Sequence, residues 1–468
     1  MNKEVWNKVE IIAATKGEDI SKKFLQKNKV TGISIDTRIL KKGDLFIALK
    51  GENFDGHDYA NLALQKGASG IIVSKKSMAK DLSGLYVSNT REALKQLAVF
   101  SRNRFQGQVI AITGSNGKTS TKNMMSSIFK YFGKTHSTFE NNNNILGLSL
   151  TLARLRKDFN FCILELGMSE KKELKILSEL ALPNIAMITN ISSSHIENFL
   201  SEKEIACEKC KIFNGLTKNG KIILNADDKW IDLLKEKAIK YSTNIQTYGK
   251  NPESNMKIEY LFSKKLGTTL SFDNTEIYLK FLPKHQAINL SGICLVMKLL
   301  NLNYKQKLEK ISVLKPSKGR GNLFKIAKHK NTLVNIIDDS YNANLLSMTS
   351  SLENIQELKN NQPKKSFVLI IGDMLELGKH SKLSHKKLIP IIQKINPRCL
   401  ITVGNFSKII SESLKKTICC YSFKNVDELI VKFFSIIKHK DTVLIKGSNG
   451  TGLFKFSNYL YKTFLLRG

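Results

Sequence analysis

The stretch "IAITGSNGKTSTKNM", residues 110–124, sets a short apolar run against a glycine-rich turn and then a run that begins a helix. A loop that leaves a buried strand and opens a helix gathers backbone N–H groups and the positive end of the helix dipole in one concavity, where they hold phosphate oxygens. In such a loop the lysine reaches the β- and γ-phosphates and the next hydroxyl meets Mg2+, roles that fall here to Lys118 and Thr119. The complete G-x-x-x-x-G-K-[ST] pattern needs glycine at position 112, where this chain has Ile112. A shortened G-x-x-G-K-T remains, and its strand-before, helix-after context separates it from a chance Gly-Lys-Thr turn.

Outward from this loop the pattern repeats. "FNFCILELG" (159–167), "NIAMITNI" (184–191) and "KIILNAD" (221–227) are apolar runs followed by loop or helical sequence, the alternation of a parallel sheet with crossover helices. "HQAINLSGICLVMKLLNL" (285–302) is a strongly apolar helix expected to pack on that sheet. After "PSKGRGN" (316–322) the alternation restarts with "LVNIIDD", "SFVLIIGD", "CLITVG" and "DTVLIKGS", each ending in a turn where ligands of open α/β sheets bind. Before the loop, "GISID", "GDLFIAL" and "GIIVS" with the helical "YANLALQKGA" read as a small α/β unit. The fold class is therefore α/β with three domains: a small N-terminal α/β domain over 1–87, a central phosphate-loop domain with a parallel sheet over 88–313, and a C-terminal Rossmann-like domain over 314–468.

Composition narrows the function. A chain of 468 residues with 42% hydrophobic content, 7 Pro and 28 Gly is globular. No run of eighteen apolar residues is present and the start lacks a signal-peptide core, so a cytoplasmic protein without membrane insertion is expected. Seven scattered cysteines make no disulfide framework. The formal net charge of +34 would suit nucleic acid, but the basic residues are mostly lysines spread along the chain without clustered stacking aromatics. A basic, solvated surface that attracts anionic small substrates fits better, and no nucleic-acid partner is expected.

The chain resembles the Mur ligases, the ATP-dependent amide-forming enzymes of peptidoglycan precursor synthesis, whose phosphate loop has the shortened "TGSNGKTSTK" form. The motifs "SIDTR", "GDLFIALKGENFDGHDY", "ENNNNILG", "LELGM", "TNISSSHIENF", "LNADD", "HQAINLSG", "GRG", "IIDDSYNANLLSM", "GDMLELG" and "LIKGS" follow in that family's order over nearly the whole chain. The C-terminal pair "DDSYNAN" and "GDMLELG" looks like the member that adds D-alanyl-D-alanine to UDP-N-acetylmuramoyl-tripeptide, and the "DNPR" signature of the tripeptide-forming member is absent. The alternatives are that tripeptide-forming member, a folylpolyglutamate synthase and, in other classes, a phosphate-loop nucleic-acid ATPase or a zinc or redox protein.

The resemblance implies ATP and Mg2+ as cofactors, the UDP-sugar peptide and D-alanyl-D-alanine as substrates, and a monomer. It implies transfer of the ATP γ-phosphoryl to the peptide carboxylate and attack of the dipeptide amine on the acyl phosphate. It places ATP on Gly114, Ser115, Asn116, Gly117, Lys118, Thr119 and Ser120, with Asn289 by the adenine, and Arg320 and Asp339 reaching across to phosphate and ribose. Thr119 and Glu165 would hold the ATP magnesium, and Glu165, His195 and Lys209 a second one. Taken alone, Glu165 at the end of "CILELG" would be a costly unpaired carboxylate or an ordinary ion-paired one. Asn141, Asn143 and Asn144 would sit at the active site; Asn342, Asn344 and Asp373 would line the side of the incoming dipeptide; Ser34, Asp36 and Arg38 would serve the uridine nucleotide. Four residues depart from the family pattern: Ser149 and Leu345 for prolines, Lys172 for a turn glycine and Lys211 for an acid.

One motif stays ambiguous on spacing alone. "SEKEIACEKCKIFNGL" (201–216) holds a C-x-x-C, Cys207 and Cys210, around Lys209. On a helix, Ile205, Ile212, Phe213 and Leu216 form one stripe that includes Lys209, while the cysteines point elsewhere. A lysine facing a packed side must be neutralised, paired or modified, unless its stem snorkels. The family resemblance adds a carbamate formed with CO2, which makes that lysine an anion and a metal ligand.

Overall fold

Successive side chains of the strand Gln108–Thr113 point to opposite faces of its sheet, and both faces are apolar: Val109 and Ala111 enter one core cluster, Ile110 and Ile112 another. That double burial is the mark of a parallel sheet covered by helices on each side. In this computed structural model the described residues are 4–25, 29–193, 196–262, 267–279, 282–307, 310–311, 316–327 and 332–466.

Among the described residues the central sheet has nine strands, in the order Thr275–Leu279, Thr268–Phe272, Met256–Phe262, Ile245–Gly249, Lys221–Asn225, Ile185–Ile188, Gln108–Thr113, Phe161–Glu165, Thr135–Ser137. It is parallel throughout except where Thr268–Phe272 pairs antiparallel with both of its neighbours. The helix Lys118–Phe129 and the helix Lys284–Leu299 cover one face; Ile145–Ala153, Glu173–Ala181 and Glu202–Lys209 cover the other. The helix Lys284–Leu299 packs on the sheet as its sequence implies, burying Ala287, Leu290, Ile293, Cys294 and Val296. The hairpin strands of this sheet and its edge strand Thr135–Ser137 carry no long apolar run, and sequence patterning does not single them out.

A four-stranded parallel sheet, Gly32–Ser34, Asp44–Ile47, Gly70–Val73 and Leu85–Tyr86, forms the N-terminal unit. The helix Thr90–Arg104, capped by Asn89, buries Ala93, Leu94 and Leu97 in the N-terminal core and Ala98 in the central one, so it bridges the two units.

The C-terminal sheet runs Asn322–Ala327, Leu333–Asp338, Thr442–Lys446, Phe367–Gly372, Cys399–Val403, Cys419–Phe423, parallel except for the antiparallel first strand. Its strands again divide side chains between two cores, Leu369 and Ile371 against Val368 and Ile370. The phosphate loop and the carboxyl ends of Leu333–Asp338 and Thr442–Lys446 open on one cleft of about 980 Å³.

Candidate active site

The loop that leaves Gln108–Thr113 is held in shape by close packing. Gly114 (φ +147°) lies so near Thr189 that a Cβ would meet its Oγ1 at 1.9 Å, and Gly117 (φ +81°) caps the helix Lys118–Phe129 under the Asn289 amide. Ile112, where the longer motif has glycine, is a fully buried strand residue registered opposite Glu165, so the strand simply runs on to Thr113 before the turn begins. Ser115 exchanges hydrogen bonds with the Ser192 backbone, and the Asn190 side chain accepts from the Asn116 N–H at 3.0 Å. The Lys118 ammonium donates to the Gly114 carbonyl at 2.7 Å. Burial pulls its pKa down, opposed by the Glu165 charge and reinforced by Arg320. Ser120 is buried in the first helical turn and lines the cleft.

Glu165 is 1% exposed at the carboxyl end of its strand. Its Oε1 accepts from the Thr119 hydroxyl at 3.0 Å and from the Asn143 amide at 2.9 Å, while Oε2 is buried and has no hydrogen-bond partner among the described residues. An orphaned buried carboxylate oxygen beside a threonine hydroxyl is a hard-oxygen donor set of the kind a divalent cation fills. His195 lies outside the described residues.

The C-terminal unit closes the cleft. Asn141 donates to the Tyr341 hydroxyl, Arg320 stacks at 4.2 Å from the Tyr341 ring centroid, and Asp339 pairs with Lys446 at 2.8 Å. Asn344 and Asn116 exchange amide hydrogen bonds. Asn342 lines the same cleft, its side chain folded onto the Ala343 N–H. Asn289 is 3% exposed and accepts from the Tyr248 hydroxyl at 3.4 Å. His285, on the same helix, stays neutral because burial lowers its pKa to about 4.

Other expected residues stand elsewhere. Asp373, expected beside the incoming dipeptide, is not among the residues that line the cleft: its carboxylate accepts the backbone N–H groups of Asn405, Phe406 and Ser407 at 2.7–3.2 Å. Asn144 is the N-cap of the helix Ile145–Ala153 and is not among the cleft residues. Ser34, Asp36 and Arg38 form their own turn, with the Arg38 guanidinium forked onto Asp36, and are not part of the cleft. That fork and the Arg38 backbone N–H hold the Asp36 carboxyl below the usual range.

Lys209 is 2% exposed, in the stripe with Ile205, Ile212 and Phe213, and no carboxylate pairs with it among the described residues. Burial and the nearby Lys118 charge drive its pKa well below the lysine value. Cys210 is buried with its thiol pushed up to about 12, the reverse of a metal-binding or redox thiolate. Lys172 sits at φ +69°, a left-handed position suited to glycine, and its N–H donates to Glu208, which also pairs with Lys211 at 2.5 Å. Two departures from the family pattern thus meet on one carboxylate.

Three residues of the site escape sequence reasoning. Tyr341 joins Arg320 to Asn141; Lys446 pairs with Asp339; and Lys122, 2% exposed, donates to the Thr138 and Glu140 carbonyls and so holds the loop that leads to Asn141 and Asn143. The available signals were position: Lys122 is one helical turn beyond Lys118, and Lys446 ends an apolar strand.

Known proteins are similar to this chain over most of its length. The description "Mur ligase family, catalytic domain" matches residues 29–102, "Mur ligase middle domain" residues 112–297, and "Mur ligase, glutamate ligase domain" residues 324–449. The UDP-N-acetylmuramoyl-tripeptide--D-alanyl-D-alanine ligase of Rickettsia prowazekii is 36% identical, covering 91% of this chain and 94% of that protein. The enzyme of the same name from Escherichia coli is 32% identical, over 90% and 91%. The crystal structure of MurF from Acinetobacter baumannii superposes with a TM-score of 0.82 at 25% identity, covering 99% of this chain and 100% of that one. The MurF ligase of Thermotoga maritima in complex with ADP shares the fold, with a TM-score of 0.75 at 24% identity over 92% and 98%.

Proposed function

This chain belongs to the Mur ligase family, and from that premise we propose that it joins D-alanyl-D-alanine to UDP-N-acetylmuramoyl-tripeptide in the cytoplasm, consuming ATP, in peptidoglycan precursor synthesis. The observation that carries the reading is the buried Glu165 cluster at the foot of the phosphate loop, sharing one cleft with Arg320, Asp339 and Asn344 of the C-terminal unit.

An amide does not form from a carboxylate and an amine near neutral pH without activation. In this reaction the tripeptide carboxylate attacks the γ-phosphorus of ATP and ADP departs; the dipeptide amine then attacks the acyl phosphate and phosphate leaves the tetrahedral intermediate. Two anions meet in the first step, so positioning and charge neutralisation supply most of the rate. Lys118 and Arg320 provide that positive charge from opposite walls of the cleft, and the N–H groups of the loop Gly114–Ser120 hold the phosphates. Thr119 and Glu165 are the residues that would hold Mg2+, whose charge when bound offsets that of the phosphoryl oxygens. A carbamate on Lys209 would turn a buried cation beside Lys118 into an anion, resolving the cost of two neighbouring ammonium groups. Asn342 and Asn344 line the same cleft as Arg320, which supports a role for them toward the incoming dipeptide.

Phosphate release from ATP, measured across a substrate panel, tests the reading. It should require UDP-N-acetylmuramoyl-tripeptide and D-alanyl-D-alanine together. Release that depends instead on a single diamino acid and UDP-N-acetylmuramoyl-dipeptide would move the chain to another branch of the family.

A further inference from the structure

We propose that Lys446 is a positioning residue for ligation: its ammonium group sets the Asp339 carboxylate and the loop 339–344 where nucleotide and dipeptide need them. This rests on the ligase reading above. Lys446 ends the strand Thr442–Lys446, which lies between Leu333–Asp338 and Phe367–Gly372 in the C-terminal sheet. Its carboxyl end is therefore at the place where open α/β sheets bind ligands. Its side chain is 2% exposed, yet it lines the cleft. The ammonium donates to Asp339 Oδ2 at 2.8 Å, the Asn342 carbonyl at 3.3 Å and the Asp339 carbonyl at 3.5 Å. One charged group thus ties the start of the loop to its middle.

The same Asp339 oxygen accepts the Ser351 hydroxyl from the helix Leu345–Asn361 at 2.5 Å, and the Asp339 N–H donates to the Ile445 carbonyl at 2.9 Å. From the loop so fixed, Tyr341 reaches Asn141 and Arg320, and Asn344 reaches Asn116. Lys446 makes none of these contacts and holds the loop whose side chains make them. A buried ion pair contributes little net stability over an apolar pair of like volume, so the effect of this one is orientation.

The test compares Lys446→Met and Lys446→Gln with the wild type in KM and kcat for ATP, D-alanyl-D-alanine and the UDP-sugar peptide, with thermal unfolding alongside. The proposal expects kcat/KM for ATP and for the dipeptide to fall at least about tenfold, the KM for the UDP-sugar peptide to stay within about twofold, and cooperative unfolding to persist. Because Lys446 and the Asp339 carboxylate act as a pair, the loss caused by Lys446→Met should be smaller in an Asp339→Asn background than in the wild type. Lys446→Gln, which retains a donor for the Asn342 carbonyl without the charge, carries the comparison if Lys446→Met does not fold. Wild-type parameters in the variants, equal losses for all three substrates, additive effects with Asp339→Asn, or failure of both variants to fold would each overturn the proposal. A wild type inactive with all three substrates present would instead sink the ligase reading.

Discussion

The side-chain amides of Asn116 and Asn344 bond each other in both directions across the cleft: Asn344 Nδ2 donates to Asn116 Oδ1 at 2.6 Å, and Asn116 Nδ2 to Asn344 Oδ1 at 3.2 Å. One belongs to the phosphate loop, the other is the N-cap of the helix Leu345–Asn361. Asn344→Ser keeps a capping oxygen for the Ser347 N–H but is too short to reach Asn116. It should leave thermal stability nearly unchanged and lower kcat/KM for the dipeptide about tenfold, the size of one well-placed hydrogen bond. Asn344→Ala should also lose about 1 kcal/mol of stability as the cap disappears. Steady-state kinetics and denaturant melts on both variants check this; a serine variant with wild-type kcat/KM for the dipeptide would show that the cap is the whole role.

Glu165→Gln preserves the acceptor used by Thr119 and Asn143 and removes the charge on the orphaned Oε2. Phosphate release should fall about 100-fold or more, and the Mg2+ concentration for half-maximal rate should rise. Thermal stability should hold or increase, because an unpaired buried carboxylate opposes folding. Activity near wild type at limiting Mg2+ is the result that removes Glu165 from the metal site.

Lys209 gives a pH prediction. Its folded-state pKa lies well below the ordinary 10.5, so below 10.5 the unfolded chain binds more protons and stability rises with pH toward that value. In CO2-free buffer, Lys209→Met should therefore raise the melting temperature at neutral pH, with a gain that shrinks as pH climbs to about 10.5. Catalysis should move the other way: Lys209→Ala should be nearly inactive and partly rescued by a short carboxylic acid that stands in for the carbamate. Full activity of the alanine variant without rescue counts against the carbamate.

Lys172 occupies φ +69°; its backbone N–H donates to Glu208, its carbonyl accepts from the Ile176 N–H, and its side chain has no partner among the described residues. Lys172→Gly removes a strain of about 1–2 kcal/mol and adds somewhat less unfolded-state entropy, so a net gain of up to about 1 kcal/mol is expected. Urea unfolding measures it; a destabilised glycine variant would mean that the lysine side chain contributes more than the strain costs.

The sequence alone determined the main alternation of strands and helices in all three units, the phosphate loop with Lys118 and Thr119, the strand-end Glu165 and the place of Lys209 in an apolar stripe. Each of these shows in a local pattern: a period-2 or period-3.6 repeat, or an apolar run, a glycine-containing turn and a helix start in succession. That Lys209 is buried there rather than snorkelling out was decided by the tertiary structure. Tertiary structure alone decided which strand-end polar groups face the cleft. Asp339 and Asp373 both end apolar runs, yet Asp339 meets Lys446 from a strand more than a hundred residues on, while Asp373 is consumed by the N–H groups of residues 405–407. The Asn116–Asn344 pair and the Tyr341 bridge between Asn141 and Arg320 likewise join residues about two hundred positions apart. Which buried polar group finds which partner depends on how separate sheets dock, and no local pattern encodes that geometry.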